Sequence, residues 1–139
     1  RNDATYRTPF PGGWAGDRVD AFSGKGLKAK ERAAQDFVRK LANWRKGQPV
    51  IHDGKMMHYA PRDNTWVYFR YNEDKKVMVV FNNNSKEMTL DTERFREMLD
   101  GVAGGTDALT GQAYDLRGKL RLPARAALVL ELQQPQGQP

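Results

Sequence analysis

"NTWVYFRYNEDKKVMVVFNNN", residues Asn64 to Asn84, decides the fold class. Val67, Phe69 and Tyr71 alternate with Trp66, Tyr68 and Arg70. After the polar break "NEDK" (Asn72–Lys75), Val77, Val79 and Phe81 alternate with Met78 and Val80. A period of two in β-branched and aromatic residues is the pattern of a strand, and a short polar break between two such runs is a turn.

The same reading extends in both directions. Upstream, "VIHDG" (50–54) and "KMMHYAP" (55–61) read as strand segments around an Asp53-Gly54 turn. Downstream, "DALTGQAYDL" (107–116), "KLRLP" (119–123) and "RAALVLELQ" (125–133) read as three short strands, with Leu128, Leu130 and Leu132 pointing inward together. "DTERFREML" (91–99) reads as a short amphipathic helix capping the edge of the sheets, with Asp91 or Thr92 as its N-cap. Six or seven short strands with regularly spaced turn signals predict a mainly β protein, an antiparallel β-sandwich.

Ahead of the strands the period changes. Ala34, Phe37, Val38, Leu41 and Trp44 recur at spacings of three and four, which predicts one long amphipathic helix over 28–46, stopped by Gly47 and Pro49. Residues 1–26, punctuated by Pro9, Pro11, Gly12, Gly13, Gly16, Gly24 and Gly26, read as an irregular loop. The division expected is therefore 1–47 for loop and helix, 48–133 for the sandwich, and 134–139 ("QPQGQP") for a disordered low-complexity tail. The helix stripe needs a cover, and a face of that size left open invites self-association. A homodimer through Phe37, Leu41 and Trp44, or a displaced helix, is the expectation.

Composition narrows the function classes. With 39% hydrophobic and 29% charged residues, the chain falls with folded rather than disordered proteins. Apolar runs such as Val77–Phe81 are too short to cross a membrane as a helix, and no membrane partner is expected. Cysteine is absent, which excludes disulfides, Cys-based zinc sites and a Cys nucleophile. The net charge of +6 raises the question of nucleic acid. The basic residues are scattered, however, and their densest group (Lys25, Lys28, Lys30, Arg32) carries no interleaved aromatics, so a solvated basic surface is the simpler reading.

Other candidates read as structural. His52 and His58, the two histidines, are expected on adjacent strands of one hairpin, and neither a metal site nor any cofactor is expected. "SGKG" (23–26) and "GVAGGTDALTG" (101–111) do not fit a phosphate loop and read as flexible connections. Asn83-Asn84-Ser85 is a formal glycosylation sequon with no further support. Trp66 and Tyr68 are the candidates for a sugar-stacking platform, set against the commoner role of half-buried sheet aromatics.

Five segments in this order, "DATYRTPFPGGWAGDRVDAF" (3–22), "LANWRKGQPVI" (41–51), "HYAPRDNTWVYFRY" (58–71), "VMVVFNNN" (77–84) and "DALTGQAYDLRGKLRLPARAALVLEL" (107–132), carry a resemblance. Together they resemble the carboxy-terminal end of an α-amylase superfamily glycoside hydrolase. The neopullulanase and cyclomaltodextrinase branch is the nearest, particularly the periplasmic starch-using enzymes of gut Bacteroidetes. The resemblance implies a catalytic (β/α)8 barrel followed by a small β-sandwich, domain C. Residues 1–26 then correspond to the loop after the eighth barrel strand, 28–46 to the eighth barrel helix and 49–133 to domain C. On this reading the chain is a piece of a larger periplasmic or secreted enzyme. Barrel active sites are built from the loops at the carboxy-terminal ends of the strands, so the opening loop would face the substrate.

The family's retaining mechanism uses an Asp nucleophile, a Glu acid/base and a third Asp, all from earlier barrel strands. Those motif regions have no counterpart in these residues, so no catalysis is expected from this chain alone. Many members hold a donor-side glucose with an Asp and an Arg four apart in the last loop, and Asp3 and Arg7 match that spacing. A carboxylate accepts from sugar hydroxyls and a guanidinium donates in a fixed fork, while Trp14 or Phe10 would offer a ring face. The partners implied are the catalytic barrel and an α-glucan or maltooligosaccharide. The alternative is a β-sandwich that itself binds starch or maltooligosaccharide through Trp66 and Tyr68.

Overall fold

The computed structural model describes residues 3–133, and the expected tail at 134–139 lies outside them. The chain divides into two compact units at Leu41, inside the long helix.

In the first unit a single 3-10 turn, Asp3–Tyr6, leads into the loop. The loop is pinned at Asp20, which forms an antiparallel bridge with Lys25. The Asp20 carboxylate accepts from Ser23 Oγ at 2.6 Å and from the Phe22 amide at 3.0 Å. These bonds, the Ser23 hydroxyl first, hold Asp20 below its ordinary 3.8. "SGKG" is thus a hydrogen-bonded turn and not the free connection expected from its glycines. Arg32 donates to the Gly24 carbonyl at 2.8 Å and Gln35 to the Ala21 carbonyl at 2.6 Å, which ties the turn to the helix that follows.

That helix, α1 (Ala29–Lys46), begins where expected. The Glu31 carboxylate accepts from the Lys28 amide at 2.8 Å, the side-chain half of a capping box. Arg45 and Lys46 sit in its last turn, where cations complement the helix dipole. It closes with tight bonds from Gly47 to the Trp44 carbonyl and from Gln48 to the Arg45 carbonyl, both 3.1 Å.

The second unit is mainly antiparallel sheet. A short helix, α2 (Pro49–His52), precedes eight strands among the described residues: β1 (Lys55–Arg62), β2 (Thr65–Tyr71), β3 (Lys76–Asn82), β4 (Met88–Asp91), β5 (Gly104–Asp107), β6 (Ala113–Asp115), β7 (Lys119–Leu122) and β8 (Ala127–Leu132). Six pair in the order β1-β2-β3-β8-β5-β6; β4 and β7 form a separate two-stranded sheet. The second layer is completed by a 3-10 turn at Thr92–Phe95 and by α3 (Arg96–Leu99). Asp91 is the N-cap, accepting from the Glu93 amide at 3.0 Å, and Phe95, Met98 and Leu99 are buried.

The main core lies between these layers. Phe69, Met78, Val80 and the inward trio Leu128, Leu130 and Leu132 meet Leu90, Phe95, Leu120 and Leu122 from the other side. The six-stranded sheet also has a covered outer face, where Val77, Val79 and Val129 pack with Val50, Ile51, Trp44 and Tyr68. Strand β3 is therefore buried on both of its sides.

Three expectations need correction. "VIH" is helical: Pro49 takes the first helical position, where its fixed φ suits a helix start. Asp53-Gly54 consequently ends a helix instead of turning a hairpin, and His52 and His58 lie on α2 and β1, not on two strands. Gly54 is needed there because a Cβ would fall 2.2 Å from the Val50 carbonyl oxygen and 2.9 Å from that of Tyr71. The true first hairpin turns at Asp63 and Asn64, both at positive φ (51° and 55°), as a two-residue primed turn requires.

The second correction concerns "DALTGQAYDL", which is a hairpin and not one strand. Buried Asp107 ends β5 by accepting from the Thr110 hydroxyl at 2.6 Å, the Thr110 amide at 3.2 Å and the Val129 amide at 3.1 Å. The third is "GVAGGTDALTG", expected as a flexible connection: Gly104 and Gly105 are part of β5, paired with Asp115 and Tyr114 of β6. A side chain at Gly104 would meet the Tyr114 carbonyl oxygen at 2.7 Å.

Leu130 lies fully buried on β8, between β3 and β5. Leu130→Ala is expected to destabilise the chain by about 2–5 kcal/mol, the usual cost of a core leucine truncation, read from the urea unfolding midpoint at unchanged m-value.

Candidate functional site

Two sets of residues are candidates for a functional site, one in each unit. In the first, the Arg7 guanidinium and the Asp3 carboxylate form an i,i+4 ion pair at 3.1 Å. Both side chains are about four-fifths exposed, so the pair contributes little to stability. What it does is hold an acceptor on the 3-10 turn beside a forked donor just after it. Phe10 packs on Phe22, with ring centroids 5.1 Å apart and planes at 60°. Trp14, 83% exposed, sits on its own small turn, where its amide donates to Asp17 Oδ2 at 3.0 Å. The structure thus brings Asp3 to Arg7 and turns Phe10 toward Phe22.

In the second unit the outer face of the six-stranded sheet is ordered by its register. One row across the strands reads Met56, Arg70, Val77, Glu131; the next His58, Tyr68, Val79, Val129; the third Trp66, Phe81, Ala127. The first row holds the charges and spends them. Arg70 Nη2 donates to the Ile51 carbonyl at 2.7 Å, and so binds α2 to the sheet. Glu131 Oε1 accepts from Trp44 Nε1 at 2.9 Å and from Lys75 Nζ at 2.6 Å, and the same ammonium donates to Gln48 Oε1 at 2.7 Å. Partial burial pushes the Glu131 carboxyl up, but the hydrogen bonds from Lys75 and Trp44, helped by the ammonium charge, outweigh it and leave the group below its ordinary 4.5.

Trp44 accordingly belongs to this cluster and is not free for the dimer face expected of it. The rest of the stripe divides: Phe37 (49% exposed) and Val38 (61%) stay open, and Leu41 is half-buried.

The third row is the open end of the face. Trp66 and Tyr68 share one side of β2, with ring centroids 5.0 Å apart. Phe81, directly across from Trp66 on β3, joins them at 5.8 Å and 6.5 Å, its plane within 19° of the indole and 28° of the phenol. Sequence reasoning picked out the first two and missed Phe81. The signal was available: a turn at "NEDK" sets the 66–81 pairing. Burial raises the Tyr68 phenol above its ordinary 10. His58, across from Tyr68, is exposed and belongs to this face. Among the described residues, no cluster of His, Asp or Glu is arranged to hold a metal ion. Asn83 of the sequon is engaged: its side-chain oxygen accepts from Arg125 Nη1 at 2.6 Å.

A family model described as the cyclo-malto-dextrinase C-terminal domain matches residues 56–131, more than half of the chain and nearly all of the strands. The chain belongs to this family. Solved structures agree on the fold. AmyP in complex with maltose superposes with a TM-score of 0.69 at 15% identity, over 84% of this chain and 24% of that one. A MutB variant in complex with sucrose gives 0.66 at 17%, over 94% and 26%. An Anoxybacillus alpha-amylase gives 0.61 at 23%, over 91% and 27%. The chain thus spans about a quarter of the length of these structures.

The Glu131 bonds set a pH dependence. A carboxyl whose folded pKa is lowered contributes stability that is present above its unfolded value and lost as pH falls through the folded one. Glu131→Gln is therefore expected to be less stable than the native chain at pH 7, with the gap narrowing as pH falls below about 4.5 toward the lowered folded pKa. Urea midpoints followed by tryptophan fluorescence across that range check this.

Proposed function

We propose that this chain is the accessory C-terminal domain of an α-glucan-hydrolysing enzyme of the neopullulanase and cyclomaltodextrinase kind. Its role is to brace a catalytic (β/α)8 barrel on the same polypeptide, and it cleaves no bond itself. The observation that carries the reading is the match to the cyclo-malto-dextrinase C-terminal domain across residues 56–131. The seating of Trp44, Val50 and Ile51 on the outer sheet face supports it, since the end of a long helix is thereby fixed to the sandwich. The resemblance to starch-using enzymes extends the proposal to a periplasmic or secreted setting.

The opening loop has a separate part in this proposal. Asp3 and Arg7 hold a terminal glucose of the substrate in the assembled enzyme, and Trp14 or Phe10 lies against a sugar ring. Their side-by-side acceptor and donor, and the open indole of Trp14, support it.

The test uses the full-length product of the gene. It is expected to release reducing sugar from maltooligosaccharides, and this chain alone to release none. A full-length product with no action on α-glucans overturns the proposal. Asp3→Ala in the full-length enzyme removes a charged acceptor worth about 1.5–3 kcal/mol, which corresponds to a loss of kcat/KM on maltotriose of about 10- to 150-fold.

With no barrel present, the exposed Phe37 and Val38 favour a second copy as their cover. Sedimentation velocity of the isolated chain is expected to show concentration-dependent association that Phe37→Ser abolishes.

A further inference from the structure

Residues Pro11 to Ala21 form a loop closed at its neck. The Ala21 amide donates to the Pro11 carbonyl at 2.9 Å, so the two ends of the segment meet. Compact surface loops with adjoining ends are often functional. At the far end the Trp14 amide donates to Asp17 Oδ2 at 3.0 Å, and the Asp17 amide to the Trp14 carbonyl at 3.3 Å. The indole is carried on this tip turn, open to solvent.

Phe10 stands at the other end. Its ring packs on Phe22, and it lines an apolar hollow with Pro11, Val19, Ala21 and Leu27. Of the two aromatics, Phe10 therefore has partners at the base of the loop, and Trp14 is the one presented at its tip.

The neck is set by Asp20. Its backbone bridges to Lys25, and its carboxylate is spent on the Ser23 hydroxyl and the Phe22 amide. Gly12 lies directly against it. At φ 106°, a Cβ on Gly12 would fall 2.2 Å from Asp20 Oδ1 and 2.7 Å from its Cα. Gly12 precedes Trp14 by two residues, so the placement of Asp20 sets the course of the chain into the tip. The neck is in turn anchored to α1, where Gln35 donates to the Ala21 carbonyl and Arg32 to that of Gly24.

We infer that Asp20 is a positioning residue for the substrate: acting through Gly12, it sets where Trp14 presents its indole, and Trp14, not Phe10, is the ring that lies against a sugar of the α-glucan. The inference rests on the substrate-facing loop proposed above and assigns its parts. Asp20 itself touches no sugar.

A double-mutant cycle in the full-length gene product tests it, with maltoheptaose as substrate. A ring that binds ground state and transition state alike affects KM alone, so Trp14→Ala and Asp20→Ala are each expected to raise KM about tenfold with kcat held within about two-fold. The double variant is expected to be no worse than Trp14→Ala, because both changes remove the same contact. A merely structural loss at Asp20 would instead multiply with that of Trp14→Ala. Asp20→Asn keeps an oxygen for the Phe22 amide and can donate to Ser23 Oγ, and is expected to bring KM back to within about three-fold of native. If Asp20→Ala does not fold, Ser23→Ala takes its place in the cycle, with a KM rise of about three-fold that Trp14→Ala again masks. A multiplied loss in the double variant overturns the inference. So does a native KM in Asp20→Ala beside an impaired Trp14→Ala, which leaves the sugar contact of Trp14 standing. A native KM in Trp14→Ala itself overturns both this inference and the role proposed for that ring.

Discussion

Strand β3 needs two covers. Met78 and Val80 face one way and Val77 and Val79 the other, and all four are buried. Burying one such side chain stabilises by about 1.5–3 kcal/mol relative to leaving it in water, so neither side can be left open without a loss comparable to a sizeable part of a domain's stability. The inner side is closed by the second layer, β4, β7, α3 and the turn before it. The outer side has no sheet to meet it. It is closed by Trp44, Val50 and Ile51, which makes the end of a helix part of the sandwich's own packing.

From that constraint follows the polar arrangement around it. A helix end laid on a sheet brings backbone carbonyls and an indole N–H toward an apolar surface, where each needs a partner. Arg70 supplies a donor to the carbonyl of Ile51, and Glu131 an acceptor to Trp44. Lys75 then neutralises Glu131 and reaches Gln48. An ion pair whose side chains are one-third exposed, such as Lys75 with Glu131, contributes on the order of 1 kcal/mol or less. Its larger effect is directional, because three bonds converging on one row admit only one placement of the helix end.

Strand periodicity made most of this legible. The alternation in β2 and β3, the inward leucines of β8, the capped helix at Asp91 and the long helix all stand where the residues predict them. What escaped was set by pairing rather than by period. β4 has only four residues, too few to show alternation, and its partner β7 lies some thirty positions later. "GGTD" has no side-chain pattern of a strand; it becomes one because its glycines let β6 and β8 approach closely. "VIH" has β-branched residues yet is helical, since Pro49 starts a turn that Arg70 and the outer face then hold. At the candidate sites, the residue types were visible and the geometry was not. Asp3 and Arg7 pair at the expected spacing, Trp66 and Tyr68 share a face, and Phe81 enters only through cross-strand register.

Register also explains why one face of the same sheet can serve two purposes. A one-residue slip between β2 and β3 would carry Val67 and Phe69 outward and Trp66 and Tyr68 into the core, so the hairpin is fixed by the burial on its inner side. Once fixed, the outer side is not free to vary in order: charges fall in the row under the helix end, and aromatics fall in the row beyond it. The charged row is satisfied within the chain. The aromatic row carries no charge; its Trp66 and Phe81 rings lie near-parallel with centroids 5.8 Å apart, each a little over one-third exposed. The same face is thus polar-paired where α2 and the end of α1 cover it and uncharged where it is open.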